Sequence, residues 1–314
     1  MSVFKDVARP AILAAGRSQR LRHTVERVPL TRRVVHRFVP GERLVDALDS
    51  VVQLTNSQRF VSIDYLGEDV TDGNSAEQTV EAYLGLLEAL GPQSGDGPRP
   101  LEVSLKLSAL GQALPKDGEK IALENAHTIC AKARDLGIWV TVDAEDHTTT
   151  DSTLSIVREL RADFDWLGTV LQAYLKRTLG DCTELAGSRI RLCKGAYDEP
   201  ASVAFRDRDD VTDSYLRCLR VLMAGPGYPM VASHDPAIIA AVPDLACEFS
   251  RGADEFEYQM LYGIRDPEQR RLALAGNHVR VYVPFGSQWY GYFVRRLAER
   301  PANLTFFLRA LAEH

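Results

Sequence analysis

The chain has 314 residues, 45% of them hydrophobic and 25% charged, enough for one large or two ordinary cores. Disordered, collagen-like and mini-protein readings are excluded. Lys and Arg number 37 against 43 Asp and Glu, a formal charge of −6, and no long basic run interrupts the sequence, which argues against a nucleic-acid partner.

The start of the chain places Asp6, Arg9 and Pro10 before a short apolar stretch at 11–15, the wrong pattern for a signal peptide. Nowhere do roughly 18 consecutive apolar residues occur, the minimum for a spanning helix. Cys130, Cys182, Cys193, Cys218 and Cys247 show no CxxC pair and no zinc-finger histidine spacing, the usage of reduced intracellular thiols. A cytoplasmic protein is expected, with any membrane contact peripheral, on the cytoplasmic face.

Residues 2–58 contain no convincing strand, and apolar positions such as Leu44, Leu48, Val51, Val52 and Leu54 recur at three- and four-residue steps, so a helical extension is predicted over 1–58. From Phe60 the texture changes to eight short runs rich in Val and Ile: 60–64, 101–107, 138–144, 169–174, 189–193, 230–233, 255–260 and 279–285. Helices are predicted between them at 76–90, 119–136, 150–160 and 210–223, and 92–100 reads as a turn-rich connector. Eight strand–helix units in about 240 residues match a closed (β/α)8 barrel. A doubly wound sheet is disfavoured because neither G-x-G-x-x-G nor G-x-x-x-x-G-K-[ST] occurs. The expected domains are the extension 1–58, a catalytic barrel over 59–300 and a tail over 301–314.

Function in such a barrel concentrates at the carboxyl ends of the strands. Those ends read Asp64, Lys106, Asp143, Gln172, Arg191 with Lys194, His234, Glu257 with Gln259, and Tyr282, an unusual convergence of polar groups. Lys106, inside the alternating V-S-L-K-L-S, needs a buried anion, and Asp143 is the expected partner; a structural ion pair and a substrate-facing group are equally open. Arg191 and Lys194 together suit a phosphate or carboxylate, and Gly195 permits close backbone approach. His234 lacks a metal-ligand partner at H-x-H or H-E-x-x-H spacing, so no metal is expected. Beyond the last strand, Tyr292, Arg295, Arg296 and Glu299 share one face of a helix stopped by Pro301, and adjacent guanidinium groups suit bidentate capture of a carboxylate. Read without context, that face is a solvated one with a routine Arg295–Glu299 pair.

The segments VSLKLSALG, TVDAED, TVLQAYLKRT, RLCKGAY, ASHDP, FEYQMLYG, YVPFG and YGYFVRRLAERPAN, in this order and spacing, resemble the motifs of the proline dehydrogenase family over roughly residues 59–303. The resemblance is nearest to the monofunctional bacterial enzymes, since neither an aldehyde-dehydrogenase nor a DNA-binding segment is read in the chain. It implies a distorted barrel that binds FAD without a Rossmann fingerprint. It also implies oxidation of L-proline to Δ1-pyrroline-5-carboxylate by hydride transfer to flavin N5, with electrons passed to a quinone.

By motif, the resemblance makes Asp143 and Arg191 catalytic and puts Lys106, Leu261, Tyr282, Tyr292, Arg295 and Arg296 on the substrate. It puts Ala144, Gln172, Lys194, Gly195, Ala196, Ser233, His234 and Glu299 on FAD. Ser233-His234-Asp235 stands where many members have Thr-His-Asn, and Cys193 where an aliphatic residue is common, departures that touch only flavin contacts. Peripheral membrane contact is expected through amphipathic ends such as Leu304–Leu311, and the oligomeric state is open. The rival readings are a Schiff-base lyase using Lys106 or Lys194, and a cofactor-free barrel that holds a carboxylate ligand.

Overall fold

The computed structural model describes residues 35–93 and 100–299, with side chains described through Arg296. After helix α1 (Leu44–Thr55) eight strands alternate with helices: β1 Phe60–Tyr65, α2 Gly73–Leu90, β2 Leu101–Leu105, α3 Gly118–Asp135, β3 Trp139–Val142, α4 Thr150–Asp163, β4 Gly168–Gln172, α5 Thr178–Glu184, β5 Arg189–Cys193, α6 Arg208–Ala224, β6 Tyr228–Ala232, α7 Pro236–Glu248, β7 Glu257–Leu261, α8 Asp266–Leu274, β8 Val279–Phe285 and α9 Trp289–Glu299. The strands are all parallel and close in sequence order, β8 pairing back onto β1 from Phe60↔Arg280 to Tyr65↔Phe285. This is the predicted (β/α)8 barrel.

The strands are not the apolar runs the sequence suggested. They alternate, because one side of each strand faces the helices and the other faces the barrel interior. Val61, Ile63, Val103, Leu105, Val140, Val142, Val281 and Val283 build one hydrophobic core with helices α1 to α4, and Ile190, Leu192, Val231, Tyr258, Met260 and Val279 join a second with α5 to α8. The opposite positions carry Ser62 and Asp64, Glu102 and Ser104, Arg189 and Arg191, Glu257 and Gln259, and Arg280, all buried. Barrel interiors usually hold branched aliphatic residues in layers; this one holds charges that must pair with one another.

Local signals start the helices that flank the mouth. Asp72 caps α2 by accepting from the Ser75 amide at 2.9 Å. Asp235 caps α7 through the Ala237 amide at 3.0 Å, with Pro236 in the first turn, where its missing N–H costs nothing. Helices α5, α7 and α8 lacked a clear sequence prediction, and α5 has only seven residues. Helix α9 buries Trp289, Tyr290, Phe293 and Val294 against Val35, Phe38, Val39 and Leu66, so the described start of the chain and the β1 loop together seat it. Among the described residues no helix is long and apolar enough to cross a membrane. Segments 1–34 and 301–314, including Leu304–Leu311, lie outside the described residues.

Candidate active site

Arg191, in the middle of the barrel, is held by five side chains. Its Nη1 donates to Asp143 and to Ser104, both at 2.7 Å, its Nη2 to Glu102 at 2.5 Å and to Ser62 at 3.0 Å, and its Nε to Gln259 at 2.6 Å. Beneath it Glu102 also takes Arg189 at 2.8 Å and Thr141 at 2.8 Å, while Glu257 takes Arg280 at 2.7 Å. Burial works against the Glu102 charge, but Arg280, Arg191 and Arg189 outweigh it and hold the carboxyl far below its ordinary range. Glu257, expected at the mouth, is the first residue of β7 and lies in this lower layer; the strand begins two residues later than the sequence suggested.

One layer higher, Lys106 donates to Asp64 at 2.6 Å and stands 3.6 Å from Asp143. Its first partner is therefore Asp64, not Asp143 as expected. The reason is register: Asp64 and Ser104 are paired across β1 and β2, which sets Lys106, two residues on and just past β2, over the Asp64 carboxylate. Burial opposes the Lys106 ammonium, but Asp64, Asp143 and Glu68 overcome it and raise its pKa, so it stays charged at neutral pH. Burial pushes the Asp64 carboxyl upward, with Asp143 adding to that and Lys106 opposing it. Tyr83 on α2 supports the pair from behind, donating to the Ser104 carbonyl at 2.6 Å and standing 3.4 Å from Asp64. Tyr282 donates to Asp143 Oδ2 at 2.8 Å and lies 3.4 Å from Lys106; burial first, then the nearby Asp143 and Asp64, puts its phenol far above the usual range. Asp143 thus joins Arg191, Ser104 and Tyr282 in one network, with Lys106 at its edge.

Gln172, Lys194 and His234 stand at the ends of three adjacent strands, β4, β5 and β6. Gln172 donates to the Glu145 carbonyl at 2.7 Å, and Lys194 reaches Asp235 at 2.7 Å and Thr212 at 2.8 Å. The two cations read as a pair from R-L-C-K therefore serve different partners: Arg191 points into the barrel, while Lys194 points toward Thr212 in the second turn of α6 and the cap residue Asp235 of α7. Lys194 lies three residues beyond Arg191, an odd step that turns its side chain to the opposite side of the strand line. His234 Nε2 accepts from the Leu261 amide at 2.9 Å, which leaves the proton of the neutral ring on Nδ1. Ser233 Oγ accepts from the Asp235 amide at 3.1 Å. Gly195 has φ +108°, and a Cβ there would sit 2.2 Å from the Tyr174 ring, so only glycine fits. Ala144 and Ala196 are half-buried beside these groups.

Helix α9 crosses this mouth. Arg295 grips Glu68 of the β1 loop with both terminal nitrogens, at 2.5 and 3.1 Å, and lies 5.8 Å from the Tyr197 ring in the β5 loop. Arg296 is buried, 5.0 Å from the ring of the buried Tyr292. Arg295 therefore pairs across the mouth; the side chain of Glu299, its surface partner in the simple reading, lies outside the described residues.

The family model described as proline dehydrogenase matches residues 47–309. The chain belongs to the proline dehydrogenase family. It is 40% identical over 282 residues to proline dehydrogenase of Deinococcus radiodurans, covering 88% of this chain and 90% of that protein. It is 38% identical to proline dehydrogenase 1 of Bacillus subtilis strain 168, covering 90% and 91%. Among solved structures, proline utilization A of Bdellovibrio bacteriovorus, inactivated by N-propargylglycine, superposes with a TM-score of 0.79 at 24% identity; it covers 86% of this chain, which spans a third of that protein. That likeness is one of fold.

In proline dehydrogenase terms, the structure brings Lys106, Asp143, Arg191 and Tyr282 into one connected network and places Arg295 and Arg296 over it. Asp64 is expected only as one of the polar strand ends and Asp235 only beside the flavin contacts, and the sequence points to no role for Glu68, Glu102 or Glu145. Glu102 was detectable in the alternation of L-E-V-S-L-K, and Asp235 in the S-H-D-P cap. Glu68, in a loop, carries no periodic signal.

Proposed function

We propose that this protein oxidises L-proline to Δ1-pyrroline-5-carboxylate, with FAD as its resident cofactor and a quinone as electron acceptor. The observation that carries the substrate side is the adjacent pair Arg295 and Arg296 on a helix lying across a barrel mouth, one of them already gripping a carboxylate, that of Glu68. A guanidinium that binds Glu68 through both nitrogens has the fork geometry a free carboxylate needs. Tyr282, Leu261 and Tyr292 supply walls for a small ring, and Lys106 with Asp143 marks the polar edge.

The residues at the ends of β4 to β6 fit FAD. An amide, an ammonium and a neutral imidazole stand on neighbouring strands, and glycine at 195 lets the β5 loop backbone pack directly against the Tyr174 ring, which fixes the course of the loop that carries Lys194 and Ala196. Bound FAD would take up the two electrons removed from the substrate C–N unit. Gln172, Lys194, Gly195, Ala196, Ser233 and His234 would hold it from this side, with Ala144 and Glu299 completing the set. The protein's own work is orientation: the arginines fix the carboxylate, the aromatic walls fix the ring, and Arg191, immobilised by five partners, fixes Asp143 and Tyr282 beneath the substrate. A Schiff-base lyase would need a neutral lysine. Lys106 is instead held charged by Asp64.

The test compares L-proline with pyrrolidine, its analogue lacking the carboxylate. Arg295→Lys and Arg296→Lys each remove a fork contact worth about 1.5–3 kcal/mol, so KM for proline rises about ten- to a hundredfold. Pyrrolidine is indifferent to both, and flavin content stays normal. Equal losses for both compounds would mean the helix merely supports the fold.

A further inference from the structure

Glu145, two residues beyond Asp143, is buried although it sits at the barrel mouth, and nothing in the mechanism uses it. Both its oxygens are taken by one residue: Oε1 accepts from the Ser108 amide at 3.0 Å, and Oε2 from the Ser108 hydroxyl. Ser108 lies in the tight turn Leu107–Leu110 that follows Lys106 directly. Its remaining capacity goes to the β1 loop. Its Oγ accepts from the Asp69 amide at 3.1 Å, and its carbonyl from the Val70 amide at 3.2 Å. Asp69 has φ +54°, a left-handed conformation that a non-glycine residue keeps only when its surroundings fix it. The residue before it is Glu68, the partner of Arg295. A continuous run of bonds therefore joins the end of β3, through Ser108, to the carboxylate that places the guanidinium of α9.

We propose that Glu145 is a positioning residue for the substrate site: through Ser108 it braces the β1 loop so that Glu68 sets Arg295, and the brace is firm when Glu145 is ionised. An ionised carboxylate accepts two charge-assisted bonds from Ser108, whereas a protonated one keeps a single full acceptor. The charged groups that face Glu145 are Lys106 from the end of β2 and Glu68 from the β1 loop, with the Tyr197 phenol on the β5 loop. Burial, partly opposed by the Ser108 bonds and Lys106 and reinforced by Glu68, pushes the Glu145 carboxyl up to about 7. Below that value Glu145 is neutral and the brace loosens; above it the brace tightens.

The inference rests on the assignment of Arg295 to the substrate carboxylate, and the experiment separates the two. Glu145→Gln imitates the protonated group at every pH. The ratio of its KM for proline to that of the native protein is therefore close to 1 at pH 6 and climbs three- to tenfold by pH 8.5, with its midpoint near 7. Ionisation of proline itself cancels in that ratio. The effect falls on KM, with kcat moving less than threefold, and KM for pyrrolidine gives a flat ratio. Ser108→Ala removes the hydroxyl links of the brace, to Glu145 Oε2 and from the Asp69 amide, while leaving the carboxylate and the two backbone bonds in place, and it raises KM for proline at pH 8.5 in the same direction. It decides the matter if Glu145→Gln does not fold. A pH-independent ratio, a loss confined to kcat, or an unchanged KM in Ser108→Ala would overturn the proposal. If Arg295→Lys discriminates proline from pyrrolidine while the Glu145→Gln ratio stays flat, the arginine assignment survives and the role of Glu145 does not. If Arg295→Lys harms both compounds equally, both fall.

Discussion

Replacing Asp143 by asparagine keeps the shape of the side chain and removes one charge from the centre of the network. Asp143 Oδ1 now accepts from Arg191 at 2.7 Å and Ser104 at 2.8 Å, and Oδ2 from Tyr282 at 2.8 Å. Asparagine can keep its oxygen for Arg191 only by turning its amide toward Tyr282, whose hydroxyl must then accept instead of donate. Lys106 loses the second of its two anions, the one at 3.6 Å. A charge-assisted bond contributes about 1.5–3 kcal/mol, and a loss of that size in the reacting arrangement lowers kcat roughly ten- to a hundredfold. The fold survives because the stronger buried pairs remain, Arg191 with Glu102 at 2.5 Å and Lys106 with Asp64 at 2.6 Å. The assay is steady-state turnover of L-proline on protein whose flavin content and melting temperature are measured in parallel. Wild-type turnover in Asp143→Asn would remove this carboxylate from the chemistry. A turnover loss that merely tracks flavin loss would make it part of the scaffold.

Two further outcomes test the cofactor side. Lys194→Ala weakens retention of FAD on extensive dialysis while KM for proline in FAD-saturated protein changes less than threefold; wild-type flavin content after dialysis would refute the assignment. Gly195→Ala forces a Cβ to within 2.2 Å of the Tyr174 ring at φ +108°, strain on the order of 1–3 kcal/mol, so flavin content and melting temperature both fall, the latter by several degrees. An unchanged flavin content would show that this backbone is not the cradle.

The barrel could be read from the sequence because its signal is repeated: runs 189–193 and 279–285 match β5 and β8 residue for residue, and β1 differs by one residue. Short helices carried less signal, since the seven residues of α5 allow barely two turns of periodicity. Lys106, Asp143 and Arg191 stood out because charges at strand positions are costly and must be answered. Their partners were harder to see. That Lys106 meets Asp64 before Asp143 depends on strand register, and that Arg295 meets Glu68 depends on how α9 is seated by residues 35–39 and Leu66; local pattern encodes neither. The reading of Glu257 as a mouth residue failed through a two-residue strand offset, which in a layered barrel moves a side chain from the mouth to the layer beneath.

The most direct measurement is the visible spectrum of the purified protein under anaerobic conditions before and after L-proline is added. The expected result is a yellow protein with bound FAD whose flavin absorbance bleaches on addition of L-proline, more slowly with pyrrolidine, and returns when a quinone is supplied. A colourless protein that takes up no FAD, or bound flavin that L-proline leaves oxidised, would contradict it.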